Sequence, residues 1–429
     1  MATHPSSHSI RSTTVAAARP VQILAAQHRV AHVVVAGWTA AWAVVHLYVV
    51  TVGFSNALFW LTYYVPNYRF GFVRRGLGGQ IISWLPESYY FAAARTLLWT
   101  STVLWLVSLA VLMWRVKSAG ARCERRTMLI LAIPVLPFGL SYALYSPHPE
   151  LFGMAALLAF ANGLTRCRTP RARTVLSAAY GGAIAVLALA HEAIPLQLAL
   201  GAVLAIVALP DGVTRAGTRV CAALAAGPGL VATALVAAFG HRDVSAKLCA
   251  QLPHGKLDNP WAVVKTPGAA IDYLFGRIEN TSDFHDWVCE NALPILDADT
   301  TAAMHLVASY GAVRLLGSFT LGLLFFLGTM WAIRYICAVP IQVLSGAVRS
   351  NTVLVATAAA LYVPIFATGV DWTRWWIIIT ADVAIVYIVC AGARPEIDRA
   401  PSHRTVTVFV WAVMALAVLP LGAANNVGV

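Results

Sequence analysis

Apolar and polar positions fall along this chain in long blocks. Eleven apolar stretches, near 31–53, 88–114, 127–145, 150–165, 174–190, 192–209, 219–240, 315–336, 351–368, 374–391 and 405–423, are separated by polar segments. Roughly 20 apolar residues in a helix span a bilayer, and a helix satisfies its own backbone groups in lipid. The pattern predicts an all-α, polytopic integral membrane helix bundle of about 11 spans, with tight hairpins at 127–145/150–165 and 174–190/192–209. Two polar blocks are long enough for structure of their own, 54–87 and 241–314. The second carries Trp261, Tyr273, Phe275, Phe284 and Trp287, too many aromatics for a disordered linker. Its stretch 267–278 reads as a short amphipathic helix along the interface. Trp60, Tyr63, Tyr64, Trp84, Trp375 and Trp376 read mostly as an aromatic belt. Residues 1–30 are polar and Ala-rich and read as a disordered cytoplasmic tail, leaving 31–429 as a single transmembrane domain.

Composition supports the membrane reading. The chain has 429 residues, 59% hydrophobic and 11% charged, against about 25% charged in soluble domains. Cations orient it. With the N-terminus inside, the inner segments hold Arg115, Lys117, Arg122, Arg125 and Arg126, then Arg166 to Arg173, Arg215, Arg219, Arg334, Arg349, Arg394, Arg399 and Arg404. Only Glu124, Asp211, Glu396 and Asp398 oppose them. The net charge of +12 is thus a topological signal beside anionic lipid and implies no nucleic-acid partner. Arg and Ala bias, with four lysines in all, suits a high-GC bacterial genome, so the expected location is a bacterial inner or plasma membrane. Cys249 and Cys289 share the long outer loop, where an oxidising compartment permits a disulfide.

Four polar groups stand at predicted outer ends. Arg69, Arg74 and Arg75 lie in a Gly-rich run, 69–79, against the charge rule. Their planar guanidinium forks suit phosphate oxygens, and the glycines would let backbone amides approach an anion. His191-Glu192 closes the fifth stretch, where partial burial would raise the carboxyl pKa for proton transfer. Asp371 and Arg374 share a helix face at the mouth of the tenth. His148 and Glu150 occupy a short hairpin that also reads as a plain turn and helix start. Arg95, His46 and Asp382 lie within spans, Asp382 without an evident partner. His241, His254, His285 and His305 lack close metal-ligand spacing and read as solvated; no cofactor is expected, and the sequence leaves dependence on a divalent metal open.

The span count, the outer Arg69, Arg74 and Arg75 after the first span, and the long loop between the seventh and eighth make the chain resemble the multi-spanning lipid-linked-sugar transferases, the GT-C superfamily and its related polymerases and ligases. The resemblance implies sugar transfer from a polyprenyl-phosphate carrier to a glycan acceptor outside the cytoplasm, in cell-envelope assembly. Arg74 and Arg75 would hold the donor phosphate, with Arg69, His148, Glu150, His191 and Arg374 lining the substrate site. Glu192 or Asp371 would take the acceptor proton; the acid often found in the family's first outer loop has only Glu87 as a counterpart in 54–87. Two other classes remain open. A transporter or lipid flippase would show a polar path through Asp382, and helix breaks at Gly181-Gly182 or Gly227-Pro228-Gly229 would suit it. A non-catalytic scaffold would scatter its charges on the lipid-facing perimeter.

Overall fold

The computed structural model describes residues 14–121, 123–210, 212 and 214–421. The chain is almost wholly helical, with one two-stranded sheet among the described residues. Among the described residues, six helical stretches are long and apolar enough to cross a membrane: His28–Gly53, Glu87–Ser118, Glu124–Tyr145, Arg215–Phe239, Ala312–Cys337 and Trp372–Gly392. A seventh is reached if Gln342–Ser350 and Thr352–Thr368, bent by 95° at their junction, count as one span. The expected eleven are therefore not confirmed. Glu150–Leu164 and Ile194–Ala208 have 15 residues each and His403–Val418 has 16. At about 1.5 Å per residue these fall short of the roughly 30 Å hydrocarbon layer. Glu150–Leu164 and Ile194–Ala208 are mostly buried, so their apolar sequence reflects a protein core as much as lipid. Apolarity alone does not separate the two environments.

Successive segments nevertheless run between two polar ends. At one end, Arg126 pairs with Asp398 at 2.9 Å and donates to the Gly392 carbonyl at 2.9 Å. Arg125 donates to the Ile336 carbonyl at 2.7 Å, and Arg115 to the Asn162 carbonyl at 3.3 Å. These are segments that the charge rule assigns to the inside. Segments assigned to the outside gather at the other end.

The glycine pairs do not break their helices. Pro170–Ala188 and Arg215–Phe239 run unbroken and pack on each other. A Cβ on Gly181 would stand 2.0 Å from the Leu224 carbonyl oxygen. Glycine serves close helix approach here, a packing device of membrane helices.

The N-terminal expectation also changes. Residues 14–30 belong to a helix, Thr14–Tyr48, as an Ala-rich stretch favours; residues 1–13 lie outside the described ones. The long loop is ordered. Strands Lys256–Asp258 and Thr281–Asp283 pair antiparallel, and Pro267–Leu274 is helical. Phe284, Val288, Leu293 and Leu296 of the loop pack with Trp60, Leu61 and Tyr64 of the 54–87 block in a second hydrophobic core. Cys249 and Cys289 are disulfide-bonded, closing a separation of 40 residues.

A cross-link over that length stabilises by about 2–4 kcal/mol. Cys249→Ser should therefore speed amide hydrogen exchange in 281–296 by at least about tenfold while leaving the membrane helices unchanged. Equal exchange in the two proteins would show that packing alone holds the loop.

Candidate functional site

The site begins at a strained residue. Arg75 has φ 61°, the left-handed region, which a non-glycine side chain adopts at a cost. That turn starts the Gly76–Ile82 helix and leaves the Arg75 guanidinium against Glu192. Nη2 stands 2.9 Å from Oε1 and Nε 3.0 Å from Oε2, a two-pronged pair. The neighbouring glycines serve packing rather than anion approach. A Cβ on Gly76 would meet the Tyr68 ring at 2.3 Å, and one on Gly79 the Pro66 carbonyl oxygen at 2.2 Å.

A second charged group forms where three helices start. Arg374, in the first turn of Trp372–Gly392, places Nη2 2.7 Å from Asp371 Oδ2 and Nη1 3.5 Å from Glu150 Oε2. Glu150 opens its own helix and is 1% exposed, so its charge depends on these partners. Gln197 Nε2 donates to Glu150 Oε1 at 3.2 Å. The Gln197 carbonyl accepts from Tyr362 Oη at 2.5 Å, and the same hydroxyl reaches Asp382 Oδ2 at 3.2 Å. Asp382 thus has the partner that the sequence did not supply.

Tyr63 joins the two groups. Its ring lies 4.6 Å from that of His148 and 5.8 Å from that of His191, with the Arg75 guanidinium 5.7 Å from its centroid. Tyr63, Arg75 and Phe59 also face a cavity of about 150 Å³, roofed by Trp287, Asn291 and Leu296 of the outer loop. Another cavity, about 240 Å³ around His46, is almost purely apolar and offers little to orient a polar substrate. His46 itself is satisfied by Tyr145 and the Ala417 carbonyl.

Electrostatics separates the acids. Burial would raise the Glu192 carboxyl, but Arg75 and His191 outweigh it and hold it well below the usual range. Burial raises the Asp371 carboxyl, and Arg374 offsets this only in part. Burial pushes His191 down to about 4, with Arg75 adding to the effect; burial and Arg374 likewise hold His148 well below its usual value. Both imidazoles are neutral at pH 7. Burial likewise lowers Arg74, and the like charges of Arg75 and Arg242 add to it, against weaker help from Glu192 and Asp297. Arg74 Nη2 donates to the Ile295 carbonyl, and its Nε has no hydrogen-bond partner among the described residues.

Of the residues singled out by sequence, Arg75, His148, Glu150, His191, Glu192, Asp371 and Arg374 meet in this cluster. Arg74 stands beside it. Arg69 is exposed and enters none of the described ion pairs. Glu192 does not have the raised pKa expected of a base, because burial here comes with an arginine. Tyr63 and Trp60 were misplaced in an interfacial belt; both are buried. Gln197 and Tyr362 were missed. Gln197 is the sole amide side chain in the otherwise apolar Ile194–Ala208 helix, which was the available signal.

A family model described as "Uncharacterised membrane protein Rv1490" matches residues 32–417. The chain is 54% identical over 397 residues to "Uncharacterized protein Rv1490" of Mycobacterium tuberculosis, covering 92% of this chain and 91% of the relative. The same figures hold for "Uncharacterized protein Mb1527" of Mycobacterium bovis. No solved structure matches the chain. The matching model is described only as an uncharacterised membrane protein, so the resemblance to the lipid-linked-sugar transferases is not confirmed.

Two outcomes follow from the buried charges. Replacing Arg374 by Met strands Glu150 and should cost about 3–5 kcal/mol in unfolding from mixed micelles. Adding Glu150→Gln should restore at least about 1 kcal/mol; purely additive penalties would refute the pairing. The histidines set an acid limit. As pH falls below about 6.5 the unfolded chain binds protons that native His191 refuses until about 4, so stability drops over that window. The thermal midpoint should fall less between pH 7 and 4.5 in His191→Gln than in wild type, and an unchanged slope would contradict the assignment.

Proposed function

We propose that this chain, which belongs to the Rv1490 family of uncharacterised membrane proteins, binds a phosphorylated lipid at its outer face and transfers a sugar from it to a glycan hydroxyl. The observation that carries the reading is the pairing of two unlike environments. Arg74 is a cation disfavoured first by burial and then by the like charge of Arg75, a setting that a bound anion would relieve. Asp371 is an acid lifted toward neutrality by burial beside a fixed cation. Environments that push titratable groups apart are the signature of assigned acid–base roles.

In this chemistry the acceptor oxygen bonds to the anomeric carbon and gives its proton to Asp371. The bond between that carbon and the phosphate oxygen breaks, and the polyprenyl phosphate leaves with its negative charge held by Arg74. Arg75 is already committed to Glu192 and acts by positioning. Glu192, held ionised, is its counter-ion and a poor base. The cavity under Trp287 and Asn291 would admit the acceptor from the water side. An outer working face and a lipid-linked donor belong to this proposal.

A second reading rests on the link from Glu150 through Gln197 and Tyr362 to Asp382. Asp382 lies eleven residues beyond Asp371, about 16 Å along a helix and near the middle of a bilayer. A polar chain reaching that depth suits an ion-coupled transporter. A scaffold is disfavoured, because the clustered charges face inward.

Lipid extracted with the purified protein and read by mass spectrometry should contain a polyprenyl phosphate, depleted at least about tenfold in Arg74→Ala. Asp371→Asn should keep the lipid and lose sugar transfer by at least about 100-fold, the usual worth of a general base. Equal lipid in both proteins, or transfer unaffected by Asp371→Asn, contradicts the proposal. Loss of function confined to Asp382→Asn favours transport.

A further inference from the structure

A second constellation lies on the outer loop, apart from the cluster just described. His254, Asp283, His285 and Asp286 each bring a potential ligand atom within 4.8 Å of the others. The fold assembles them from separate elements. Strand pairing sets Lys256 opposite Asp283, which carries His254, two residues earlier, to the end of the second strand. Asp283 caps the Phe284–Asn291 helix, its Oδ1 accepting from the Asp286 amide. That cap puts His285 and Asp286 in the first turn. The Cys249–Cys289 disulfide ties the same helix to the Ser245–Cys249 helix.

The distances suit a small cation. His254 Nδ1 stands 3.0 Å from Asp283 Oδ1, and His285 Nδ1 stands 2.9 Å from Asp286 Oδ1. Ligands about 2.0–2.1 Å from a tetrahedral zinc lie about 3.3 Å from one another. The Asp283 carboxylate is oriented from behind, its Oδ2 accepting from the Gly255 amide at 3.1 Å, the outer-shell support that metal ligands use. The two imidazoles stack with centroids 4.2 Å apart and planes at 27°. Two nitrogens and two carboxylate oxygens match Zn(II) or a related borderline metal better than Ca(II). Cys249 and Cys289 lie beside His285, but as a disulfide they offer no thiolate.

We propose that His254, Asp283, His285 and Asp286 form a divalent transition-metal site, with Zn(II) the best-matched ion. The metal would fix the start of the helix whose Trp287, Val288 and Asn291 roof the cavity over Tyr63 and Arg75. It would thereby stiffen the loop at the proposed substrate entrance, a structural role independent of the reaction assigned to the cluster.

The test uses tag-free, full-length protein in detergent with its disulfide verified by intact mass. Equilibrium dialysis against Zn(II) should give one bound ion per chain. Co(II) should give the intense visible bands of a tetrahedral site, bleached by Zn(II). His254→Ala and His285→Ala should each weaken binding at least about tenfold. Both side chains reach solvent, and neither belongs to the hydrophobic core, so the variants should fold. Asp286→Asn, which leaves the Asp283 cap in place, provides a third arm. Zinc bound equally by wild type and all three variants, or at well below one ion per chain, would overturn the site and leave the four residues as two ion pairs.

Discussion

Charge neutralisation where buried helices begin is the constraint on which the other features depend. Arg374 is 5% and Glu150 1% exposed, and an isolated charge in such a place costs several kcal/mol. Each is tolerable only because the other, with Asp371, stands within reach. The pairs therefore dictate which helix starts can be neighbours. Arg374 ties Trp372–Gly392 to Glu150–Leu164. Arg75 ties the 54–87 block to the turn before Ile194–Ala208, and the strained backbone at Arg75 is the local cost of reaching Glu192.

Once those charges are matched, the outer loop has something to cover. Its second hydrophobic core rests on the same 54–87 block that supplies Tyr63 and Arg75, so loop and cluster share a foundation. The result is a small cavity with aromatic and cationic walls under a disulfide-braced roof. Buried imidazoles kept neutral, a carboxylate held low by arginine and a second carboxyl raised by burial give neighbouring groups distinct proton affinities. That differentiation favours a site for chemistry or coupled binding over a uniform salt-bridge clasp.

How much of this was legible in the sequence depends on range. Apolar blocks marked the membrane class, since hydropathy is local. The number of crossings was not legible, because Glu150–Leu164 and Ile194–Ala208 are apolar by virtue of burial inside the bundle. Residues opposing the orientation rule, such as Arg75, and acids at helix mouths, such as Asp371 and Glu150, identified most of the cluster. Their partners did not follow, because Arg75 and Glu192 are 117 residues apart and only tertiary packing joins them. Tyr63 was hidden by chemistry common to belts and cores alike. His254 and His285 were passed over because 31 positions along the chain conceal a stack made by strand pairing.

The account's central claim is that the clustered charges form one outward-opening anion site. Its most direct test is cryo-electron microscopy of the protein in lipid nanodiscs with a short-chain polyprenyl phosphate. The account predicts phosphate density within hydrogen-bonding distance of Arg74, below Trp287, with the Arg75–Glu192 pair intact. Lipid confined to the outer perimeter of the bundle, or phosphate density at the end that carries Arg125 and Arg126, would contradict it.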